Sequence, residues 1–145
     1  MRQKELKINQ NVYHSLLNNT PLPPPETGGI IGGKDGIITC YFADKGESSC
    51  DFYRYYPNTN NLNNIISFWE KNNIDFMGIY HSHPLRNDEL SSADIKYINN
   101  IMNDIKDFKQ KLYFPLVIPQ TKLIGFCAVN VADEIKIFQT AIKIL

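Results

Sequence analysis

The chain has no excess of charge of either sign: fifteen Lys and Arg stand against fifteen Asp and Glu in 145 residues, and the pI is about 6.8. That balance argues against the basic face with which nucleic acid is bound. Cysteine is scarce. Cys40, Cys50 and Cys127 are odd in number and form no Cys-x-x-Cys pair, so neither a disulfide framework nor a thiolate metal site is suggested. Cys40 and Cys127 lie in apolar, strand-like runs and read as small buried hydrophobes. No apolar run approaches the roughly 20 residues of a membrane span, and Met1-Arg2-Gln3-Lys4-Glu5-Leu6-Lys7 is too charged for a secretory signal. The expectation is a cytoplasmic protein with no membrane partner, one domain over residues 1–145. The glycines around Ile30 and Ile31 do not make a phosphate loop. They lack both the Gly-Lys-Ser/Thr ending and the GxGxxG order, and close approach of another backbone explains them better.

What the sequence does contain is His81-Ser82-His83-Pro84, followed after seven residues by Ser91-Ser92-Ala93-Asp94. The apolar run Phe76 to Tyr80 ahead of it reads as a strand, where alternate side chains share a face. The two imidazoles would then stand on one side with Cα atoms roughly 6.6 Å apart, close enough to converge on one ion. Asp94 is the nearest carboxylate that a turn could bring back as a third ligand. Two His and one Asp leave a fourth tetrahedral position for water, which is the mark of a catalytic rather than a structural zinc site. Ser91-x-x-Asp94 before an amphipathic pattern also fits a helix capping box, with both residues structural. The two readings are compatible, because a capped first turn holds Asp94 still.

Glu5 to Ile8 reads as a short strand, and Asn9 or Asn11 as the cap of a helix with Val12, Leu16 and Leu17 on one face and His14 at the surface or in packing. Pro21 to Pro25 would impose an extended approach to Glu26. Thr27 to Gly33 and Gly36 to Ala43 read as a hairpin, with Phe52 to Tyr56 a third strand whose aromatic residues pack or meet a protein partner. Asn58 to Asn64 opens a helix with Leu62, Ile65, Ile66 and Trp69 on one side. Ile95, Ile98, Met102 and Ile105 repeat at helical spacing between Ser91 and Asp107. Lys111 to Ile118 and Lys122 to Val129 are apolar strands, Pro115 marking an edge or bulge, and Glu134 to Ile144 fits either strand or helix. This order predicts an α+β fold, a curved mixed β-sheet flanked by helices.

The spacing His81-x-His83-x7-Ser91-x2-Asp94 resembles the signature of the JAMM, or MPN-plus, metalloproteases. The pattern's upstream Glu has its counterpart in Glu26, ahead of Thr27-Gly28-Gly29-Ile30-Ile31-Gly32-Gly33. The order of the three elements is kept, and the likeness runs from about Glu26 through the strands after Asp94. Leu90 stands where many relatives carry Pro. The resemblance implies the same α+β fold and a Zn2+ held by His81, His83 and Asp94. Glu26 would act as general base and then acid, and the Ser91 hydroxyl would donate to the developing oxyanion. It implies cleavage of the amide or isopeptide bond after the Gly-Gly tail of a ubiquitin-like protein or its conjugate. Activating and conjugating enzymes of the same pathway would be partners, with antiphage defence one setting. The glycine-rich strand would offer an edge to an extended tail. Only a short helix follows Asp94, so the long insertion of the larger eukaryotic members is missing, which weakens the case for ubiquitin itself. Asp88 and Glu89 are rival bases by position, and the polar spacer places them toward solvent. A non-catalytic MPN scaffold and a metallopeptidase acting on sulfur-carrier conjugates are the alternatives. A zinc deaminase fails on ligands, since it needs His-x-Glu with Pro-Cys-x-x-Cys.

Overall fold

In the computed structural model, residues 5–44 and 59–145 are described. The third-strand reading of Phe52 to Tyr56, and Cys50, fall outside them. The element order is β1 (Glu5–Ile8), α1 (Gln10–Asn19), β2 (Gly28–Lys34), β3 (Ile37–Asp44), α2 (Thr59–Lys71), β4 (Asp75–Ser82), α3 (Ser92–Asp104), β5 (Lys111–Tyr113), β6 (Leu116–Ile118), β7 (Lys122–Val131) and β8 (Glu134–Ile144). Local chemistry explains the boundaries. Asn9 caps α1 by accepting from the Asn11 amide at 2.8 Å, satisfying a donor that the first turn leaves open. Asp35 and Gly36 turn β2 into β3 with positive φ, as a tight hairpin requires.

The sheet corrects the architecture expected from sequence. It is not a curved sheet with helices laid along it; it closes into a mixed barrel. The hydrogen-bonded order β2-β3-β1-β8-β7-β5-β4-β6 is completed by β2 pairing with β4, while β6 also pairs with β7. The short strands β5 and β6 share one place between β4 and β7, so seven positions make the ring. Two features close it. The four-residue β1 lies parallel to both β3 and β8 and joins them. Strand β2 carries register shifts at Gly32/Gly33 against β3 and at Ile31/Gly32 against β4, and such bulges bend a strand and increase its twist. At Gly32 a β-carbon would meet the Trp69 ring at 2.7 Å, so the glycine lets α2 close over the bend.

Alternation along the strands divides the core in two. Ile30, Phe76 and Ile79 pack with Leu62 and Trp69 of α2 and with Ile98 and Met102 of α3. Ile31 and Tyr80 pack with Val12, Leu16 and Leu17 of α1. Each fully buried Leu, Ile or Met contributes about 1.5–3 kcal/mol. Ile95, expected with Ile98 and Met102, is 42% exposed. Phe114 and Pro115 interrupt the run from Lys111 to Ile118, giving two strands instead of one. The last segment is a strand. Among the described residues no helix is long and apolar enough to cross a membrane.

Candidate metal centre

The barrel brings His81, at the C-terminal end of β4, beside Gly28 of β2 and Leu116 of β6. His83 follows one residue beyond β4, its amide donating to the Val117 carbonyl at 3.0 Å. Between the two histidines, Ser82 is fully buried and faces the opposite way. Its Oγ accepts from the Thr27 amide at 2.9 Å and its own amide donates to the Thr27 carbonyl at 2.7 Å. That reciprocal pair fastens the residue after Glu26 to the histidine strand. The lead-in itself bends at residues 23–25 instead of running extended, because the chain must turn from the end of α1 into β2.

The two imidazoles meet with Nε2 atoms 2.9 Å apart. Asp94 reaches both: Oδ1 lies 3.3 Å from His81 Nε2 and Oδ2 lies 3.2 Å from His83 Nε2. Glu26 Oε2 stands further off, 3.9 Å from His83 Nε2. Glu26, His81 and His83 offer ligand atoms within 4.8 Å of one another, a group that could hold a metal ion. The capping box is present as well: Ser91 Oγ accepts from the Asp94 amide at 3.0 Å, and Asp94 Oδ2 accepts from the Ser91 amide at 2.9 Å. One carboxylate thus closes the helix cap and faces both imidazoles. All five residues singled out from sequence come together at one end of β4.

Imidazole nitrogens and a carboxylate oxygen are donors that suit a divalent metal ion, zinc among them. A tetrahedron built on bonds of about 2.0–2.1 Å has edges of roughly 3.3 Å; the His–His separation is shorter than that, and Asp94 offers one oxygen to each ring at about that distance. His83 Nδ1 lies 3.0 Å from the Asn87 carbonyl. A carbonyl can only accept, so the proton sits on Nδ1 and the Nε2 lone pair is left for the cation.

Electrostatics point the same way. Burial disfavours the His83 imidazolium, but the Asp94 carboxylate, the Asn87 carbonyl and Glu26 outweigh it and raise the pKa above its ordinary value. Burial also pushes the Asp94 carboxyl up, and the hydrogen bonds of His81 and His83, the charge interaction with His81 and the Ser91 amide reverse this, holding it well below the usual carboxylate range. The site therefore favours positive charge at His83 beside the Asp94 carboxylate, and a bound cation would answer that arrangement in place of the proton.

Sequence reasoning missed three contributors. Ser82 and Asn87 act through backbone partners, which side-chain motifs do not announce. Asp88 is not simply solvated; it accepts from Lys122 Nζ at 2.7 Å.

No protein-family model matches the chain, and no curated protein matches it. Solved structures do. A protein from Desulfitobacterium hafniense, known from a solution structure, superposes with TM-score 0.58 at 15% identity, covering 95% of this chain and 92% of that one. A JAB1/MPN domain protein from Archaeoglobus fulgidus gives 0.54 at 11% identity, covering 98% and 99%. A protein from Salinibacter ruber gives 0.55 at 14%, covering 96% and 91%. At these identities the likeness is one of fold. The chain has a distant MPN-like fold that carries a group able to bind a metal.

Proposed function

We propose that this protein is a zinc metalloprotease that cleaves an amide or isopeptide bond next to small residues, the Gly-Gly tail of a ubiquitin-like protein being the substrate class. The observation that carries the reading is the convergence of His81, His83 and Asp94 on one point, with Glu26 a step further out. A Zn2+ bound there would supply Lewis acidity, bringing the proton loss of water to about neutral pH and polarising a carbonyl.

The protein's residues do the rest. His81, His83 and Asp94 hold the ion. Glu26 lies farther from His83 than Asp94 does, which suits a base that reaches water. It takes a proton onto its carboxylate and returns it to the leaving nitrogen. The Ser91 hydroxyl accepts from the Asp94 amide with one lone pair and keeps its own O–H to donate to the developing oxyanion; such a donor contributes roughly 3–4 kcal/mol. His81 and His83 are 9% and 2% exposed, so the reacting bond must enter a recessed site. That supports glycine, which has no side chain, on either side of the approach.

The test is cleavage of a ubiquitin-like fusion ending in Gly-Gly. Wild type with zinc is expected to release the partner. Glu26→Gln should keep the metal and lose about 10²- to 10⁴-fold in turnover. Equal cleavage of a tail ending in bulky residues would refute the substrate class, and full turnover by Glu26→Gln would refute the base.

A further inference from the structure

The segment from Pro84 to Leu90 joins two of the proposed ligands, His83 and Asp94, yet little packing holds its first half. Pro84 and Leu85 line an open groove of about 450 Å³ with Leu22, Ile118 and Pro119 on the other side, and Leu85 is 64% exposed. Arg86 has a φ of 73°, a conformation that a non-glycine residue holds only at a cost. Within the segment the Asn87 amide donates to the Pro84 carbonyl at 3.1 Å. A turn of this kind stays in place only if something outside it secures it.

The hairpin between β6 and β7 supplies that anchor. It is firm: the Thr121 amide donates to the Ile118 carbonyl at 3.0 Å, and the Gln120 amide donates to the Leu17 carbonyl of α1 at 2.9 Å. Lys122, directly after it, pairs with Ile118 in the sheet and extends Nζ to Asp88 Oδ2. The contacts form a closed circuit. It runs from His83 to Val117 of β6, round the hairpin to Lys122, across to Asp88, and back through Asn87 to the Nδ1 of His83. Asp88 Oδ1 is buried without a hydrogen-bond partner, so the bond from Lys122 to Oδ2 is what offsets holding the half-exposed carboxylate in this place, and removing Lys122 frees it to turn to solvent.

We propose that Lys122 and Asp88 form a clasp that positions the Asn87 carbonyl and so sets the tautomer of His83. Both are positioning residues and neither touches the ion or the substrate. The inference rests on the metal-centre reading, which supplies the purpose of the tautomer. Groups that orient a metal-bound imidazole are typically worth 10- to 100-fold in metal affinity. A half-exposed ion pair acting one residue further out carries less, about 1.5-fold to fivefold at low salt.

The experiment compares wild type, Lys122→Ala, Lys122→Arg and the charge swap Asp88→Lys with Lys122→Asp. Zinc affinity is read by chelator competition at low salt and at about 1 M salt, where exposed pairs are screened. The His83 tautomer is read by ¹⁵N NMR on metal-free protein. Expected are weaker zinc binding and a loss of the Nδ1-protonated form in Lys122→Ala, recovery in Lys122→Arg and in the swap, and a gap from wild type that closes at high salt. An unchanged tautomer in Lys122→Ala overturns the clasp whether or not zinc binds. Unchanged affinity in Lys122→Ala beside a zinc-binding wild type overturns it too. A wild type that binds no zinc but shows the tautomer shift sinks the metal reading and leaves the clasp as an element of the fold.

Discussion

The two ends of β4 obey different rules. From Phe76 to Tyr80 the strand is fixed by shape. Phe76 and Ile79 enter one cluster and Tyr80 the other, while Gly78, with a φ of 156°, lies where any β-carbon would run into the Tyr113 carbonyl. Directly after Tyr80, His81, Ser82 and His83 are just as buried, but their neighbours are polar and satisfied by one another. The first half contributes apolar burial. The second contributes little to stability, because burying charged and polar groups costs about as much as their pairing returns. The first end of β4 serves folding, and the second carries a group that could hold a metal ion.

Variants should separate the two ends cleanly. The largest effect is expected for His83→Ala. It removes one of the convergent nitrogens and should weaken zinc binding by more than about a hundredfold, measured by competition titration, with thermal stability of the metal-free protein changed far less. Gly78→Val should do the reverse, lowering stability by about 3 kcal/mol or more in denaturant unfolding while whatever remains folded binds zinc as before. If Gly78→Val abolished zinc binding in folded protein, or His83→Ala unfolded it, the division of β4 would be wrong. Ser91→Ala sits on the boundary. Losing the cap should cost about 1 kcal/mol, and losing the hydroxyl should lower turnover beyond that with zinc content preserved.

The smallest effect is in pH. The folded state raises the His83 pKa above 6.5, so its pairing contributes stability fully at pH below 6.5 and loses it as pH rises through the raised value. It depresses the Asp94 pKa below 3.8, so that contribution is present above 3.8 and disappears as pH falls. Metal-free protein should therefore gain most from this pair between those two values. Zinc-loaded protein should behave differently at the upper end, because zinc and proton compete for His83 and apparent affinity must rise with pH. Melting curves across pH, with and without zinc, would show it, and identical profiles would contradict the shared site.

The site was legible because its chemistry is local. His-x-His on a strand and Ser-x-x-Asp at a helix start each fit within four residues, and the capping box formed as the side-chain types required. The elements around it were legible from periodicity: α1, the β2–β3 hairpin and α3 lie within a few residues of where the pattern put them. Closure of the sheet was not. It depends on which strands pair, and the pairings of β1 with both β3 and β8 join residues far apart in sequence that no local period records. The break at Phe114 and Pro115 was hidden for a related reason, since an apolar run reads the same whether it is one strand or two. The Asn87 carbonyl and the Asp88–Lys122 pair were invisible because a backbone acceptor and an ordinary surface ion pair acquire meaning only from what the fold sets beside them.

The central claim is that His81, His83 and Asp94 hold the ion and Glu26 does not. Zinc content after metal loading, measured on wild type, Asp94→Asn, His83→Ala and Glu26→Gln, tests it most directly. The account predicts about one zinc per chain in wild type and Glu26→Gln, and little in the other two. No zinc in loaded wild type would contradict it outright, and loss of zinc in Glu26→Gln with retention in Asp94→Asn would make Glu26 the ligand and overturn the assignment of the base.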